Sequence, residues 1–347
     1  MSKFCPDGSD FGADIYKKHL RPMYQLCCHA LLSQIRADWP FLSCLFNVPT
    51  QASNLICWLC KAGARGQPNS FTDCSKTASW RSLRYAKHAF WAGLLALGVA
   101  LCPILELPGI SEMSIVLDWL HVMDLGVSQD IMGCFFWELV VTPGMLAGTT
   151  QDARLKSLWT MLRTWYETAK PPCRLDHLTK EMLRRGSGKP KLKAKGGETR
   201  YLVPFAAALA RSFVAVNEHM RTVAHLLLQL LLLQMMCGGA ADWDHALACE
   251  VSQQLVDLYQ ALSAEAEAAG MDYMWSFKPK VHLLIEMIQY LGEHHGDPSE
   301  FWYYRDESFC GFWAKASHRR GGANNPATTV TRFLERYLAL EWLDDHA

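Results

Sequence analysis

The sequence lacks a net charge: 34 Lys plus Arg stand against 34 Asp plus Glu in 347 residues. No whole-molecule field therefore draws a polyanion, and any nucleic-acid contact must come from local patches. No secretory leader is expected, because Asp7, Asp10, Lys17, Lys18 and Arg21 occupy the opening stretch where an apolar core would be needed. Internal repeats are absent. Long uninterrupted apolar runs are scarce: 89–107 is broken by Pro103 and flanked by Lys87 and Glu106, and 225–236 contains Gln229 and Gln234. Both read as buried helices rather than membrane spans, which need about 20 apolar residues.

Cysteine is plentiful, but its 13 copies are odd in number and spread along the chain, unlike a small secreted disulfide scaffold. A reducing compartment, nuclear or cytoplasmic and not secreted, is expected. Half of the residues are apolar, ample for a large core.

Three regions emerge. The stretch up to about residue 62 is punctuated by Pro40, Asn47 and Pro49 and suits strands and turns. Further on, SEMSIVLDWL carries a β-prone centre, Ile115 to Leu117, that ends on Asp118. From Gly126 the pattern turns helical, with long apolar-periodic stretches at 153–170, 205–236 and 243–269. Within this block, RRGSGKPKLKAKGGETR at 184–200 holds seven Lys or Arg and four Gly, and reads as an exposed basic loop. The end of the chain is mixed again, with KPKVHLLIEMIQYL as one helix and a Gly-Asp-Pro break at 296–298. The expected organisation is 1–125, a helical insertion 126–277, and 278–347.

Three blocks carry chemistry. In VLDWLHVMDLGVSQD, Asp118 is followed three residues on by His121 and then by Asp-Leu-Gly. Upstream, Asp38 lies about twenty residues before Cys57-x-x-Cys60, and downstream DPSEFWYYRDESFCGFWAKASHRR contains Glu307. In this order the blocks resemble the catalytic domain of DDE-type eukaryotic cut-and-paste transposases of the CACTA-like, hAT-like and Kyakuja-Dileera-Zisupton-like groups, over Asp38 to about Arg336. Ala37 departs from the Gly more usual before the first acid. Asp10 and Asp14 stay open as substitutes for Asp38, and Asp306 for Glu307, although only one of two adjacent helical residues can face a given site.

The resemblance implies an α/β, predominantly helical, RNase H-like catalytic fold interrupted by a large α-helical insertion. It implies a DNA nuclease and strand transferase in which Asp38, Asp118 and Glu307 hold two Mg²⁺ or Mn²⁺ ions, with His121 beside them; paired metals about 3.5–4 Å apart serve in-line phosphodiester displacement. DNA, as transposon ends and target, is the implied partner, with no membrane partner and a homo-oligomeric assembly. No domain for binding element ends is visible before residue 38, so a fragment or relic is expected. The alternative is a catalytically decayed or domesticated transposase acting as a DNA- or protein-binding module.

Phosphate contacts are expected from Lys315, His318, Arg319 and Arg320 after Glu307, and from Lys191, Lys193 and Lys195 in the basic loop; a point charge suffices for this and confers no specificity. Trp302, Tyr303, Tyr304 and Trp313 read either as core or as a stacking platform. The Cys57/Cys60 pair lacks a surrounding thioredoxin-like βαβ pattern, and its spacing suits a structural zinc that needs two more ligands. The transposases that the chain resembles supply histidines shortly before the final acid, which by that resemblance implicates His282. The fourth ligand stays open: the helical neighbour at i+4 is Glu286, and His294 and His295 lie twelve and thirteen residues beyond His282.

Overall fold

Apolar residues recur every three or four positions through most of the chain between 120 and 295, and there the backbone is helical. The computed structural model describes residues 34–238 and 243–304. The chain divides into two compact units, Met1–Phe301 and Trp302–Ala347. In the second, Trp302 and Tyr304 meet edge to face, with ring centroids 5.4 Å apart.

The first unit opens with strand β1 (Ile35–Ala37) and helix α1 (Trp39–Phe46). Asp38 caps α1, accepting the Phe41 N–H at 2.8 Å, and Pro40 stands in the first turn, where its missing N–H costs nothing. A long irregular segment follows, containing the short helix α2 (Ala89–Ala96), until strand β2 (Ile115–Leu117) pairs in parallel with β1. The register sets Ile35 against Ile115 and Ala37 against Leu117, so Asp38 and Asp118 each follow the last residue of adjacent strands.

After Asp118 a π-helical stretch, Leu120–Val127, runs without a break into α3 (Ser128–Val141). Its residues are apolar on nearly every side, and Val122, Met123, Ile131, Met132, Phe135, Phe136, Leu139 and Val140 are all buried. A helix of this kind must be surrounded. The α4 (Gln151–Ala169), α5 (Lys180–Leu183) and α6 (Gly196–Arg211) helices pack on α3; α6 then packs against α7 (Glu218–Met236), and α7 against α8 (His245–Ala268). The last helical rod joins α9 (Pro279–Ile285), a second π-helical turn (Glu286–Leu291) and α10 (Gly292–His295), and ends at Gly296 with φ 75°. It lies against α8, the first π-helical stretch and β2.

The expected mixed α/β, RNase H-like core is corrected by this architecture. Among the described residues the sheet is limited to two strands of three residues each, and the fold is predominantly helical. Among the described residues the stretch up to about 62, read as strands and turns, forms strand β1, helix α1 and then isolated bridges, Leu55 with Gly63 and Cys60 with Arg84, because its apolar side chains do not alternate long enough to build a longer ladder. The apolar run at 205–236 is two helices, divided at 212–217. The expected boundary at 125/126 falls inside the long helix, and 277/278 falls at the cap of α9.

The basic segment is a strap laid over α3 at 184–195 and runs into the first turn of α6 at Gly196. The Leu192 side chain is fully buried and its N–H donates to the Gln129 carbonyl at 2.9 Å. Lys191, Lys193 and Lys195 remain exposed, with the Lys191 amine donating to the Leu125 carbonyl at 3.0 Å. No helix among the described residues is long and apolar enough to cross a membrane: α2 stops at Ala96, and 225–236 lies in α7.

Candidate metal centre

Cys57 and Cys60 stand in a tight loop whose ends are clamped by the Ile56 N–H donating to Ala62 and by the bridge from Cys60 to Arg84. Both thiols are fully buried. His282 and Glu286 come from the last helical rod, and their i, i+4 spacing sets both on the face that meets this loop. The Cys60 Sγ lies 3.5 Å from His282 Nε2, which in turn lies 3.5 Å from Glu286 Oε1. One ligand atom from each of the four residues lies within 4.8 Å of all the others.

These distances fit one ion. A tetrahedron with metal–ligand bonds of about 2.0–2.3 Å has edges of about 3.3–3.8 Å. The fit also accounts for a polar atom otherwise without a partner, since the fully buried Oε1 of Glu286 makes no hydrogen bond; such a group is costly in a dry interior. Two thiolates and a carboxylate carry three negative charges. A divalent cation cancels two, and Arg84, whose Nη1 donates to Glu286 Oε2 at 2.7 Å, supplies the third. The Trp80 ring meets the His282 imidazole edge to face at 4.4 Å and fixes its plane.

The thiol chemistry agrees. Burial pushes Cys57 up, but the hydrogen bond from Cys60 and the nearness of His282 outweigh it and hold Cys57 at about 6. Cys60 is held far above its ordinary value, by burial first and then by Cys57 and Glu286. A divalent ion held by both sulfurs would displace the proton that burial otherwise favours on Cys60.

Of the residues expected from sequence, the structure brings together Cys57, Cys60 and His282, and it fills the open fourth position with Glu286. His295 is engaged elsewhere, between the Met113 carbonyl at 2.8 Å and Gln34 at 3.0 Å, and His294 bonds the Tyr290 carbonyl. Arg84 escaped the sequence reading, and no local signal marks it; only the fold brings position 84 to position 286.

Two of the three expected carboxylates, Asp38 and Asp118, lie within the described residues. Asp38 uses its side chain to cap α1. Asp118 is buried and accepts the N–H groups of Leu120 at 3.2 Å and His121 at 3.0 Å, and its Oδ2 lies 2.5 Å from His121 Nδ1. Glu307 lies outside the described residues, as do Lys315, His318, Arg319 and Arg320. Among the described residues the one group of metal-binding side chains is the Cys₂-His-Glu cluster, with a single carboxylate. No DDE triad and no paired Mg²⁺ or Mn²⁺ site is evident among the described residues, so the expected nuclease and strand-transferase activity is withdrawn: soft sulfur ligands select one structural ion, whereas two-metal displacement needs clustered oxygen ligands.

Comparison with known proteins finds no matching family model, no matching curated relative and no matching solved structure. Fold and site define a predominantly helical protein with, among the described residues, one buried metal-binding cluster.

Proposed function

We propose that the chain is a non-catalytic binding module, a decayed or domesticated relative of DDE transposases, held together by one structural zinc ion at Cys57, Cys60, His282 and Glu286. The observation that carries this reading is the cluster itself. It joins residues 222 apart in sequence, and every ligand is fully buried, so it serves as a staple closed to substrate. A catalytic zinc keeps an open coordination position, whereas a structural one is enclosed by four protein ligands. The transposase relationship rests on the order of the motifs at Asp38, Cys57/Cys60, Asp118/His121 and Glu307. A reducing compartment, nucleus or cytoplasm, belongs to the proposal, because every described cysteine is a free thiol and oxidation would remove the ligands.

The test is elemental analysis of the full chain purified without added metal. One zinc per chain is expected, with Cys60→Ala and His282→Ala each losing it. Chelation should lower Tm by roughly 5 °C, the equivalent of about 4 kcal/mol of binding linkage. A metal-free wild-type chain whose melting ignores both chelator and added Zn²⁺ would overturn the staple. Mg²⁺- or Mn²⁺-dependent nicking of DNA by the wild type would overturn the non-catalytic reading.

A further inference from the structure

The outer face of α7 does not match its environment. Towards the core this helix buries Val223, Leu226, Leu227, Leu230 and Leu233. On the opposite side, Arg221, His225, Leu228, Leu232 and Met235 follow one another at steps of three and four, which confines them to a single stripe. Leu228, Leu232 and Met235 are 45%, 37% and 62% exposed. A helix on a solvated surface carries polar residues there, and one that is apolar all round is covered.

The stripe borders a cleft of about 560 Å³ between α6 and α7, lined by Ala207, Val214, Leu228, Arg211, Arg221 and His225. Its charge lies at one end. Arg211 stands at the end of α6 and Arg221 in the first turns of α7, with His225 one turn on, and Glu218, paired to Arg221, is the local acid. From Arg221 to Met235 the stripe is about 21 Å long, four turns of helix.

Building on the binding-module reading, we infer that the groove between α6 and α7 docks an amphipathic helix of a partner protein, with acidic residues at one end and apolar residues at i, i+3/i+4 and i+7 along the rest. The acids meet Arg211, Arg221 and His225; the apolar residues cover Leu228, Leu232 and Met235. This is recognition of a helix in a groove. Nucleic acid fits less well, because phosphate binding needs basic charge along its whole track, and here it stops after the first turns of α7.

The experiment selects helical peptides of about 15 residues, randomised on one face and displayed on phage, against the full zinc-loaded chain. Enriched peptides should carry the apolar repeat with Asp or Glu at one end, as measured by fluorescence polarisation. Leu232→Glu and the charge reversal Arg211→Glu should each weaken them about tenfold or more, as truncation of central anchors does, while circular dichroism and zinc content stay unchanged. These positions are exposed, so their variants fold. Enrichment of basic peptides, binding indifferent to both substitutions, or displacement by a short DNA duplex would overturn the inference. So would self-association of the wild type abolished by Met235→Glu, which would make the occupant a second copy. The two proposals fail separately: a chain that retains zinc and binds DNA but no such peptide remains a binding module without this groove.

Discussion

The guanidinium of Arg84 donates to the carboxylate of Glu286 at 2.7 Å while its plane lies over the Tyr290 ring, 3.6 Å from the centroid. One cation therefore neutralises a buried ligand and orients it, leaving the other oxygen of Glu286 for the metal. Groups that orient metal ligands typically govern affinity by 10–100-fold. Arg84→Met, which keeps the stem packed on Tyr290 but removes the charge, is expected to weaken zinc by about that factor in competition with a chromophoric chelator. Arg84→Lys should recover part of the loss. Equal affinity in the wild type and Arg84→Met would show that the charge is irrelevant to the site.

Asp118 follows β2 as a buried acceptor, taking two backbone N–H groups and facing the His121 ring. Replacing it with Asn swaps one acceptor oxygen for an NH₂ group in the same shape. At least one donor then loses its partner, at a cost of roughly 1–3 kcal/mol. Urea unfolding of Asp118→Asn should show that loss with zinc content unchanged. A variant as stable as the wild type would mean that these contacts are dispensable for folding.

These two residues also mark where the sequence was legible. Cys57, Cys60 and His282 could be selected because thiols at that spacing and a nearby imidazole form a ligand set regardless of the surrounding fold. Glu286 was in view as the i+4 neighbour of His282, but choosing it over His294 and His295 required knowing which face of the rod meets the loop at 57–60. Arg84 could not be foreseen at all. The strand at Ile115–Leu117 and the helices over 151–169 and 245–268 follow from their local periodicity. The RNase H-like sheet failed because the stretch up to about residue 62, punctuated as strands and turns, yields among the described residues one three-residue strand, helix α1 and the start of an irregular segment, whose order further on comes from side chains such as Glu112, which accepts the N–H groups of His88 and Phe90. Likewise, charge at 184–200 hid the one apolar residue, Leu192, that ties the strap to α3.

His219, at the start of α7, lies 2.8 Å from both Glu138 and Glu265. The hydrogen bond to Glu138, against the opposing effect of burial and with help from Glu265, raises its pKa to about 9. A group raised on folding binds its proton more tightly in the native state. Its contribution is therefore fully present below the unfolded value of about 6.5, declines as pH rises, and is gone above about 9; over that window it is on the order of 3 kcal/mol. The stability difference between the wild type and His219→Gln, from urea midpoints, should be largest near pH 6 and shrink steadily towards pH 9. A difference constant over this range would show that the imidazole is not charged in the folded state.

Gly133 sits inside α3, where Ala normally stabilises a helix by roughly 0.5–1 kcal/mol relative to Gly. Here the sign should reverse. A Cβ at this position would stand 2.5 Å from the Lys191 Cα and from the Leu192 backbone nitrogen. The obstacle is backbone, held by the Leu192 N–H on the Gln129 carbonyl and by the Gln129 side chain donating to the Ala194 carbonyl at 2.6 Å. No rotamer change can relieve it, so either the strap lifts or the helix shifts. Gly133→Ala is expected to destabilise the fold by about 1–3 kcal/mol, the usual cost of overpacking, and hydrogen exchange should quicken at Leu192 before it does in α7 or α8. A raised Tm in Gly133→Ala would mean that the strap is not seated on α3 and that 184–200 is the free basic loop its composition suggests.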